Sequence, residues 1–387
     1  MKILHGCLAA FYIDNYGYQE NILPKMHKLQ GHDVEILAST ETYIENAKLG
    51  YIKPESYLTK EGIPITRIPY TSYLPHFIAK KLRIYEGINN ILERFKPDII
   101  FLHDCQFLSI GDIVKYKNKN KNVQIYVDSH TDFINSGKNW ISKNILHAIV
   151  YKWAAKKIEP YTRKFYGTLP VRVDFLKNVY NISESKIELL VLGIDDSVVD
   201  FTKKQEIRKS IRESLNIKND DFVIVTGGKL DSRKNIHILM KVVSELNNNN
   251  IKLIVFGTPN QEMKKEIELL SKGKNIKYIG WLAPENVYNY LFASDLAFFP
   301  GTHSVLWEQT IGIGMPCVFK KWEGIQHVDL GGNCLFIDKG DEEEIENTIL
   351  KIYNNRQLYL AMEKVAVEKG ISEFSYFEIA KRAIEQN

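Results

Sequence analysis

Gly227-Gly228-Lys229-Leu230-Asp231-Ser232-Arg233-Lys234-Asn235 is the stretch that decides the predicted fold of this chain. The apolar run Phe222–Thr226 leads into it, and a helical pattern begins at about Asn235. A buried strand that ends in glycines before a helix is typical of a βα unit, and the free N–H groups of such a helix can bind an anion. Lys229 and Lys234 bracket the turn, and both could reach a diphosphate. Taken alone, the turn favours a solvated basic loop with a structural role.

Strand and helix patterns alternate on both sides of this stretch, and a charged segment, 195–219, divides the chain into two halves. The first half has strand patterns at 2–8, 33–38, 64–68, 98–102, 123–127 and 187–191, and helical patterns at 18–29, 76–94 and 145–158. Further strands are predicted at 252–256, 276–279, 295–299 and 317–319. This alternation predicts two α/β domains with parallel sheets. Such sheets bind ligands at the carboxyl ends of their strands, and two facing domains would form one cleft.

Composition narrows the class of protein. The chain has 387 residues, 44% of them hydrophobic and 25% charged, and a net charge of +4. This is ordinary for a globular protein and too weakly basic to indicate a nucleic-acid partner. Its four cysteines are far apart, as expected of reduced thiols in a cytoplasmic protein. Neither a signal peptide nor a stretch of about 20 apolar residues is predicted.

A second motif follows the strand predicted to end at Phe299. It reads Pro300-Gly301-Thr302-His303-Ser304-Val305-Leu306-Trp307-Glu308-Gln309 and closes with Gly312-Ile313-Gly314-Met315-Pro316. The amides of its small-residue loop are a second potential anion site. Glu308 lies in a mainly apolar helix, where an unpaired carboxylate is costly, and a sugar diol is a natural partner for it. The alternative is a carboxylate that only complements the helix dipole.

Together these motifs resemble GT-B glycosyltransferases, most closely glycosyltransferase family 4. That family has a Gly-Arg-Leu…Lys-Gly phosphate motif, matched here by Gly228-Lys229-Leu230…Lys234-Asn235. The resemblance continues through Gly280-Trp281-Leu282, Ala293-Ser294-Asp295, Phe299-Pro300 and Gly331-Gly332-Asn333-Cys334-Leu335. It implies a GT-B fold with two Rossmann-like domains facing across a cleft, at 1–197 and 198–375, followed by a C-terminal helix at 376–387.

The chain departs from the family at the donor-binding glutamates. The family has two, eight positions apart, the first contacting the donor sugar and the second the ribose. Counting back from Pro316 puts Gln309 in the second position, whereas Glu308 keeps the chemistry. The first position falls within Gly301–Ser304, which has no acid. His303 or Ser304 could take over sugar recognition, and we expect Gly301 and Thr302 to line the same donor site.

The first half carries further candidates that the resemblance implies. Gly17, with Glu20, lies near the family's glycine-rich first loop, and His130 follows a strand where the family has a histidine that contacts the donor sugar or phosphate. A structural histidine that caps the next turn is the alternative. His103 and Asp104 form a similar strand end and are candidate acceptor-site residues.

The implied reaction is transfer of a sugar from a nucleotide-diphosphate sugar to a glycan or lipid-linked acceptor, with retention. Lys229 and Lys234 would stabilise the leaving diphosphate and His130 would orient the sugar, with no metal and no cofactor besides the nucleotide-sugar co-substrate. Two alternatives stay open: a non-catalytic GT-B partner subunit and an epimerase of nucleotide sugars with the same fold. Apolar and basic residues of 145–157, with the basic run 80–83, could also dock on the inner face of the cell membrane or simply pack as an ordinary core helix.

Overall fold

The computed structural model describes residues 1–44, 48–133, 136, 140 and 142–385. The chain forms two compact units, the first comprising Met1–Val191 with Ile379–Asn387 and the second Leu192–Glu378. The chain therefore enters the second unit and then returns to the first. Residues just before the predicted 197/198 boundary lie in the second unit, because the Ile194 amide and carbonyl hydrogen-bond to Phe374 and Tyr376 at 2.8 and 3.1 Å.

A predominantly parallel sheet forms the centre of the first unit. The strands of this unit are β1 (Lys2–Cys7), β2 (Asp33–Ser39), β3 (Glu41–Ile44), β4 (Lys48–Tyr51), β5 (Glu55–Leu58), β6 (Pro64–Ile68), β7 (Ile99–His103), β8 (Gln124–Ser129), β9 (Lys164–Gly167) and β10 (Ile187–Leu189). Eight of them form one sheet in the order β10-β9-β8-β7-β1-β2-β6-β5, and β3 pairs with β4. The edge strand β5 runs antiparallel to β6, while the other pairs in the sheet are parallel.

The helices of the first unit cover this sheet. They are α1 (Gln19–Leu29), α2 (His76–Leu82), α3 (Ile88–Phe95), α4 (Ile110–Lys119), α5 (Lys152–Ile158) and α6 (Pro170–Asn178), with a π-helix at Ser142–Tyr151. The single helix predicted at 76–94 is wrong: Arg83 and Gly87 have φ of 50° and 92°, which breaks it into α2 and α3. The sequence-predicted helix at 145–158 is π-helical over its first part.

The second unit is an α/β domain around a sheet whose strands are all parallel. Its strands are β11 (Phe222–Gly227), β12 (Ile251–Phe256), β13 (Ile276–Gly280), β14 (Leu296–Phe299), β15 (Cys317–Lys320) and β16 (Cys334–Ile337), in the order β13-β12-β11-β14-β15-β16. Its helices are α7 (Lys204–Ser214), α8 (Ile236–Glu245), α9 (Lys264–Leu270), α10 (Pro284–Phe292), α11 (Leu306–Gly312), α12 (Glu342–Tyr353), α13 (Arg356–Val365) and α14 (Ile371–Glu373), while α15 (Tyr376–Ala383) leads back to the first unit. The prediction of two Rossmann-like domains with parallel sheets is confirmed.

Candidate functional site

In the first unit, polar side chains gather at the carboxyl ends of β7 and β8. His103 ends β7, Asp128 lies near the end of β8, and His130 follows β8 directly. The Nδ1 atom of His103 lies 2.8 Å from Oδ2 of Asp128, and Nε2 of His130 lies 3.3 Å from Oδ1. Asp128 is fully buried, whereas the His130 side chain is 20% exposed. The side chain of His130 is therefore partly exposed, although its Nε2 atom, which faces Asp128, is buried.

The start of α1 completes this cluster. Gly17 precedes the helix in a half-buried loop. Gln19 donates from Nε2 to Oδ2 of Asp128 at 3.1 Å, and Oε1 of Glu20 lies 3.8 Å from Nε2 of His130. The structure thus brings the start of α1 beside Asp128 and His130, while the donor contact of Gly17 stays a prediction. The role of Gln19 was missed, because its sequence position gives no signal that it reaches a strand end far along the chain.

His130 is a cation at neutral pH. Burial alone would lower the pKa of its imidazole, but the carboxylates of Asp128 and Glu20 raise that pKa to about 9. Burial opposes ionisation of Asp128, yet His103 and His130 hold its pKa well below the usual range. A partly exposed imidazolium can donate to a sugar hydroxyl or to a phosphate oxygen.

Asp104 fixes the turn after β8. Its φ is 67°, and its buried carboxylate accepts hydrogen bonds from the Ser129 and Thr131 hydroxyls and from the His130 amide, each at 3.2 Å. Burial raises the pKa of Asp104. The geometry gives this side chain a structural role, and its contact with an acceptor stays a prediction, as does that of His103.

In the second unit, the glycine-rich turn follows β11 as predicted. Gly228 has φ of 109°, and Asn235, directly before α8, has φ of 53°. Asparagine is one of the few residues besides glycine that tolerate this left-handed conformation. This explains how Asn235 stands where the resembled family has glycine. Its side-chain amide donates to the Pro300 carbonyl at 3.3 Å and so ties the turn to the loop after β14.

The two predicted motifs of this unit lie against each other. A Cβ atom on Gly301 would lie 2.3 Å from the carbonyl carbon of Lys234, so only glycine fits there. The Lys234 ammonium donates to the carbonyls of Thr302 and His303, both at 2.7 Å. A lysine ammonium has three N–H donors, and a third remains for a ligand. Burial lowers the pKa of Lys234 to about 8, while Lys229 is exposed.

Glu308 binds two histidines. Its side chain is fully buried, and its Oε1 atom lies 2.8 Å from Nε2 of His303 and 2.8 Å from Nε2 of His327. Burial would raise the pKa of Glu308, but the two histidines, His303 foremost, lower it to about 2. Its Oε2 atom is buried with no hydrogen-bond partner among the described residues. His327 was missed, because it lies 19 residues from Glu308 and belongs to neither motif.

Gln309 and Ser304 are more accessible than Glu308. Both are half-buried, whereas Glu308 has no exposed surface. Contact between Glu308 and a ribose would therefore require His303 or His327 to move, and Gln309 needs no such change. The assignment of the ribose to Glu308 rather than Gln309 stays a prediction, and it now requires that a histidine side chain move when the nucleotide binds.

Among the residues that the structure describes, two clusters combine histidines with a carboxylate. They are His103, Asp128 and His130, and His303, Glu308 and His327, and in each the ligand atoms lie within 4.8 Å of one another. The 2.8 Å contacts are those of hydrogen bonds. Tetrahedral ligands of a zinc ion, bound at about 2.0–2.1 Å, would lie about 3.3 Å apart. A cation in either cluster would therefore have to separate groups that now contact each other directly.

The predicted membrane-facing segment divides into two faces. Ile145, Ile149 and Trp153 are 39%, 62% and 50% exposed, while Leu146 and Val150 pack against the core. In the basic run 80–83, Lys80 pairs with Glu41 at 2.9 Å and Arg83 donates to the Gln106 carbonyl at 3.2 Å. Within the described ranges, no helix combines the length and apolar character needed to cross a membrane.

Comparison with known proteins gives this geometry a context. Residues 207–369 match the family model of glycosyl transferases group 1. An uncharacterized glycosyltransferase of Methanocaldococcus jannaschii is 21% identical over 77% of this chain and 74% of its own length. A lipopolysaccharide 1,2-N-acetylglucosaminetransferase of Salmonella typhimurium is 24% identical over 48% of this chain, which spans about half (53%) of that relative.

A solved structure covers nearly the whole chain. HepE of Anabaena, crystallised in complex with UDP, aligns with 99% of this chain and 98% of its own, with a TM-score of 0.67 and 14% identity. This likeness concerns the fold. The group 1 match covers the turn at Gly228, Lys234 and α11, the elements that the geometry brings together in the second unit. Residues 207–369 of the second unit therefore match a glycosyl transferases group 1 domain, within a chain that has the GT-B fold, and this supports a glycosyltransferase.

Proposed function

We propose that the chain transfers a sugar from a nucleotide-diphosphate sugar to a glycan or lipid-linked acceptor with retention of configuration, as the resemblance to glycosyltransferase family 4 implies. The observation that carries this proposal is the Lys234 ammonium, which two backbone carbonyls hold at 2.7 Å beside the start of α8. It supplies a fixed charge with one N–H to spare. A helix N-terminus and a lysine together favour an anion such as a diphosphate.

The proposed chemistry places cations where charge develops. When the bond between sugar and phosphate breaks, negative charge accumulates on the leaving diphosphate, and preorganised donors stabilise it. Lys234 and the exposed Lys229 serve this role, and the loop Gly301–Ser304 contacts the donor. The His130 imidazolium orients the sugar. The HepE structure, which contains UDP, supports a uridine nucleotide as the first donor to test.

Two lysines and a helix terminus can neutralise a diphosphate without a cation, and we therefore propose that donor binding needs no metal. Calorimetry with UDP and GDP in excess chelator tests this. The Kd should be the same with chelator and with added Mg²⁺ or Mn²⁺. Binding that disappears in chelator would contradict metal-independent recognition.

The two alternatives differ from transfer in their products. A glycosyltransferase releases nucleoside diphosphate only as a glycan acceptor gains a sugar, an epimerase converts one nucleotide sugar into another, and a non-catalytic subunit does neither. Incubation with UDP-sugars and a panel of glycans distinguishes the three, if mass spectrometry follows the glycans and proton NMR follows the nucleotide sugars, since epimers have the same mass. Two observations are compatible with the non-catalytic alternative: Gly301–Ser304 has no acid where the resembled family has its first glutamate, and Glu308 is fully buried.

We also propose that the chain acts in the cytoplasm, peripherally at the inner face of the cell membrane. The support is the exposed apolar side of Ile149 and Trp153, with Lys157 4.5 Å from the Trp153 ring. Aromatic and basic side chains on one helix face favour an anionic lipid surface. Cosedimentation with anionic vesicles should fall for Ile149→Ser with Trp153→Ser, and neutral vesicles should bind little. Equal binding by the double variant would refute this surface.

A further inference from the structure

A chain of three buried histidines runs through the first unit to the strand-end cluster. His27 contacts the Ala380 carbonyl through Nε2 at 2.9 Å, and its Nδ1 lies 3.0 Å from Nε2 of His5. Nδ1 of His5 lies 3.1 Å from Nε2 of His103, and Nδ1 of His103 lies 2.8 Å from Asp128. All three histidines are fully buried. Each of the six ring nitrogens of these three histidines therefore has a hydrogen-bond partner.

The Ala380 carbonyl sets the direction of these hydrogen bonds. A carbonyl oxygen can only accept, so Nε2 of His27 must carry a proton. A neutral His27 then accepts at Nδ1, so Nε2 of His5 donates to it. By the same reasoning Nδ1 of His5 accepts, and Nε2 of His103 donates. Ala380 lies in the last turn of α15, where helical carbonyls lack intrahelical donors and the helix dipole favours positive charge.

The number of protons that these hydrogen bonds need then determines the total charge of the three histidines and Asp128. The four contacts from Ala380 to Asp128 need four protons, and three neutral imidazoles supply three. The additional proton lies between His103 and Asp128. Gln19 and the Asp104 amide also donate to the Asp128 carboxylate, at 3.1 and 3.3 Å. Such donors favour the ionised carboxylate, so the proton belongs to His103.

We propose that His103 is held as an imidazolium by the hydrogen-bond chain that begins at Ala380, and that it acts as a positioning residue by neutralising Asp128. If His103 were neutral, the negative charge of Asp128 would instead offset the positive charge of its other neighbour, His130. With His103 charged, Asp128 is neutralised from that side, and the charge of His130 is opposed mainly by the Glu20 carboxylate 3.8 Å away. His130 then attracts an anionic donor more strongly than it would beside a neutral His103. This last step rests on the proposed function, whereas the charge of His103 does not.

The surroundings agree with this distribution of charge. Burial, together with His27 and His103, lowers the pKa of His5, and burial lowers the pKa of His27 to about 3, so both stay neutral. Other titratable or charged groups interact with these residues: His32 near His27, and Cys7, Glu20, Asp104, His130 and Arg172 around Asp128 and His130.

Nitrogen-15 NMR of the protein, labelled at its histidine rings, tests the proposal, because the chemical shift of each ring nitrogen reports whether it bears a proton. At pH 7.5 both ring nitrogens of His103 should bear protons, while His5 and His27 should each bear one, at Nε2. In His27→Gln the amide still donates to Ala380 and accepts from His5, so His103 should stay charged. In His27→Phe the Ala380 carbonyl no longer sets the direction of the hydrogen bonds. His103 can then accept a hydrogen bond from His5 at Nε2, so it should become neutral and bear its one proton at Nδ1.

A His103 that bears one proton in the wild type would overturn the proposal, and so would a His103 that stays charged in His27→Phe. The wild-type spectrum decides even if His27→Phe does not fold. Calorimetry with UDP separates the functional step: His27→Phe should bind about tenfold more weakly and His27→Gln about as well as wild type. A charged His103 in a protein that binds no nucleotide would mean that the proposed function, and not the charge assignment, has failed.

Discussion

Replacement of Lys234 by methionine tests the donor site most directly, because it removes the charge and keeps the length of the side chain. The ammonium donates to the Thr302 and His303 carbonyls at 2.7 Å and leaves one N–H for the diphosphate. Loss of one hydrogen bond to a charged group costs about 1.5–3 kcal/mol. At about 1.4 kcal/mol per factor of ten, UDP should bind roughly 10- to 150-fold more weakly.

The same side chain also holds the loop, so the variant should lose stability. Two charge-assisted bonds from a half-buried group predict a fall in the free energy of unfolding of about 1–3 kcal/mol. Lys229→Met is the matched control, because Lys229 is exposed. It should weaken UDP binding while leaving the unfolding midpoint in urea nearly unchanged.

A pH series separates charge from loop packing. Burial lowers the pKa of Lys234 to about 8, so the ammonium is present below this pH and is lost as the pH rises through it. UDP affinity in the wild type should fall above about pH 8, whereas Lys234→Arg, charged at all these pH values, should not show that step. A folded Lys234→Met variant with unchanged UDP affinity would refute the assignment.

Three further outcomes follow from the two sites. Despite burial, the contacts with His303 and His327 lower the pKa of Glu308 to about 2 against an ordinary 4.5, so the ionised carboxylate adds stability above pH 4.5 that is lost as the pH falls toward 2. In a plot of the free energy of unfolding against pH, Glu308→Gln should remove this loss, and an unchanged plot would contradict the role of these contacts. If Glu308 binds the ribose, Glu308→Gln should abolish discrimination between UDP and 2′-deoxy-UDP in calorimetry; if Gln309→Ala does so instead, the register count is right. His130→Asn should remove the loss of UDP-sugar affinity expected near pH 9, the pKa of His130, and an unaltered pH profile would exclude His130 from donor binding.

The fold was largely predictable because its strands are short apolar runs between turn signals. The strand bounds predicted near Lys2, Asp33, Pro64 and Phe222 agree with the structure to within about two residues. The break between α2 and α3 was not predictable in the same way. Arg83 takes a left-handed conformation that its residue type does not suggest, although Gly87 offered a hint.

The motifs of the candidate sites could be predicted from the sequence, but the contacts between their side chains could not. From the sequence, Lys234 is expected to be a surface-loop lysine, but in the structure Gly301 lies against its backbone and the residue is half-buried. Periodicity places Glu308 and Gln309 about 100° apart on a helix, but cannot say which one faces the core. His5 and His27 carried no signal at all, because isolated histidines acquire a partner only through the tertiary fold.

The return of the chain to its first unit has a consequence for biosynthesis. His27 and the Ala380 carbonyl that orients it are 353 positions apart. Domains generally fold as units during synthesis, with the N-terminal one first. Here the early unit leaves the ribosome without its final element and must remain competent to receive it while residues 192–378 are translated. The second unit should therefore reach its native state before the first, and a nascent chain stalled ahead of Ile379 should contain an open, protease-sensitive N-terminal unit beside a protected second one.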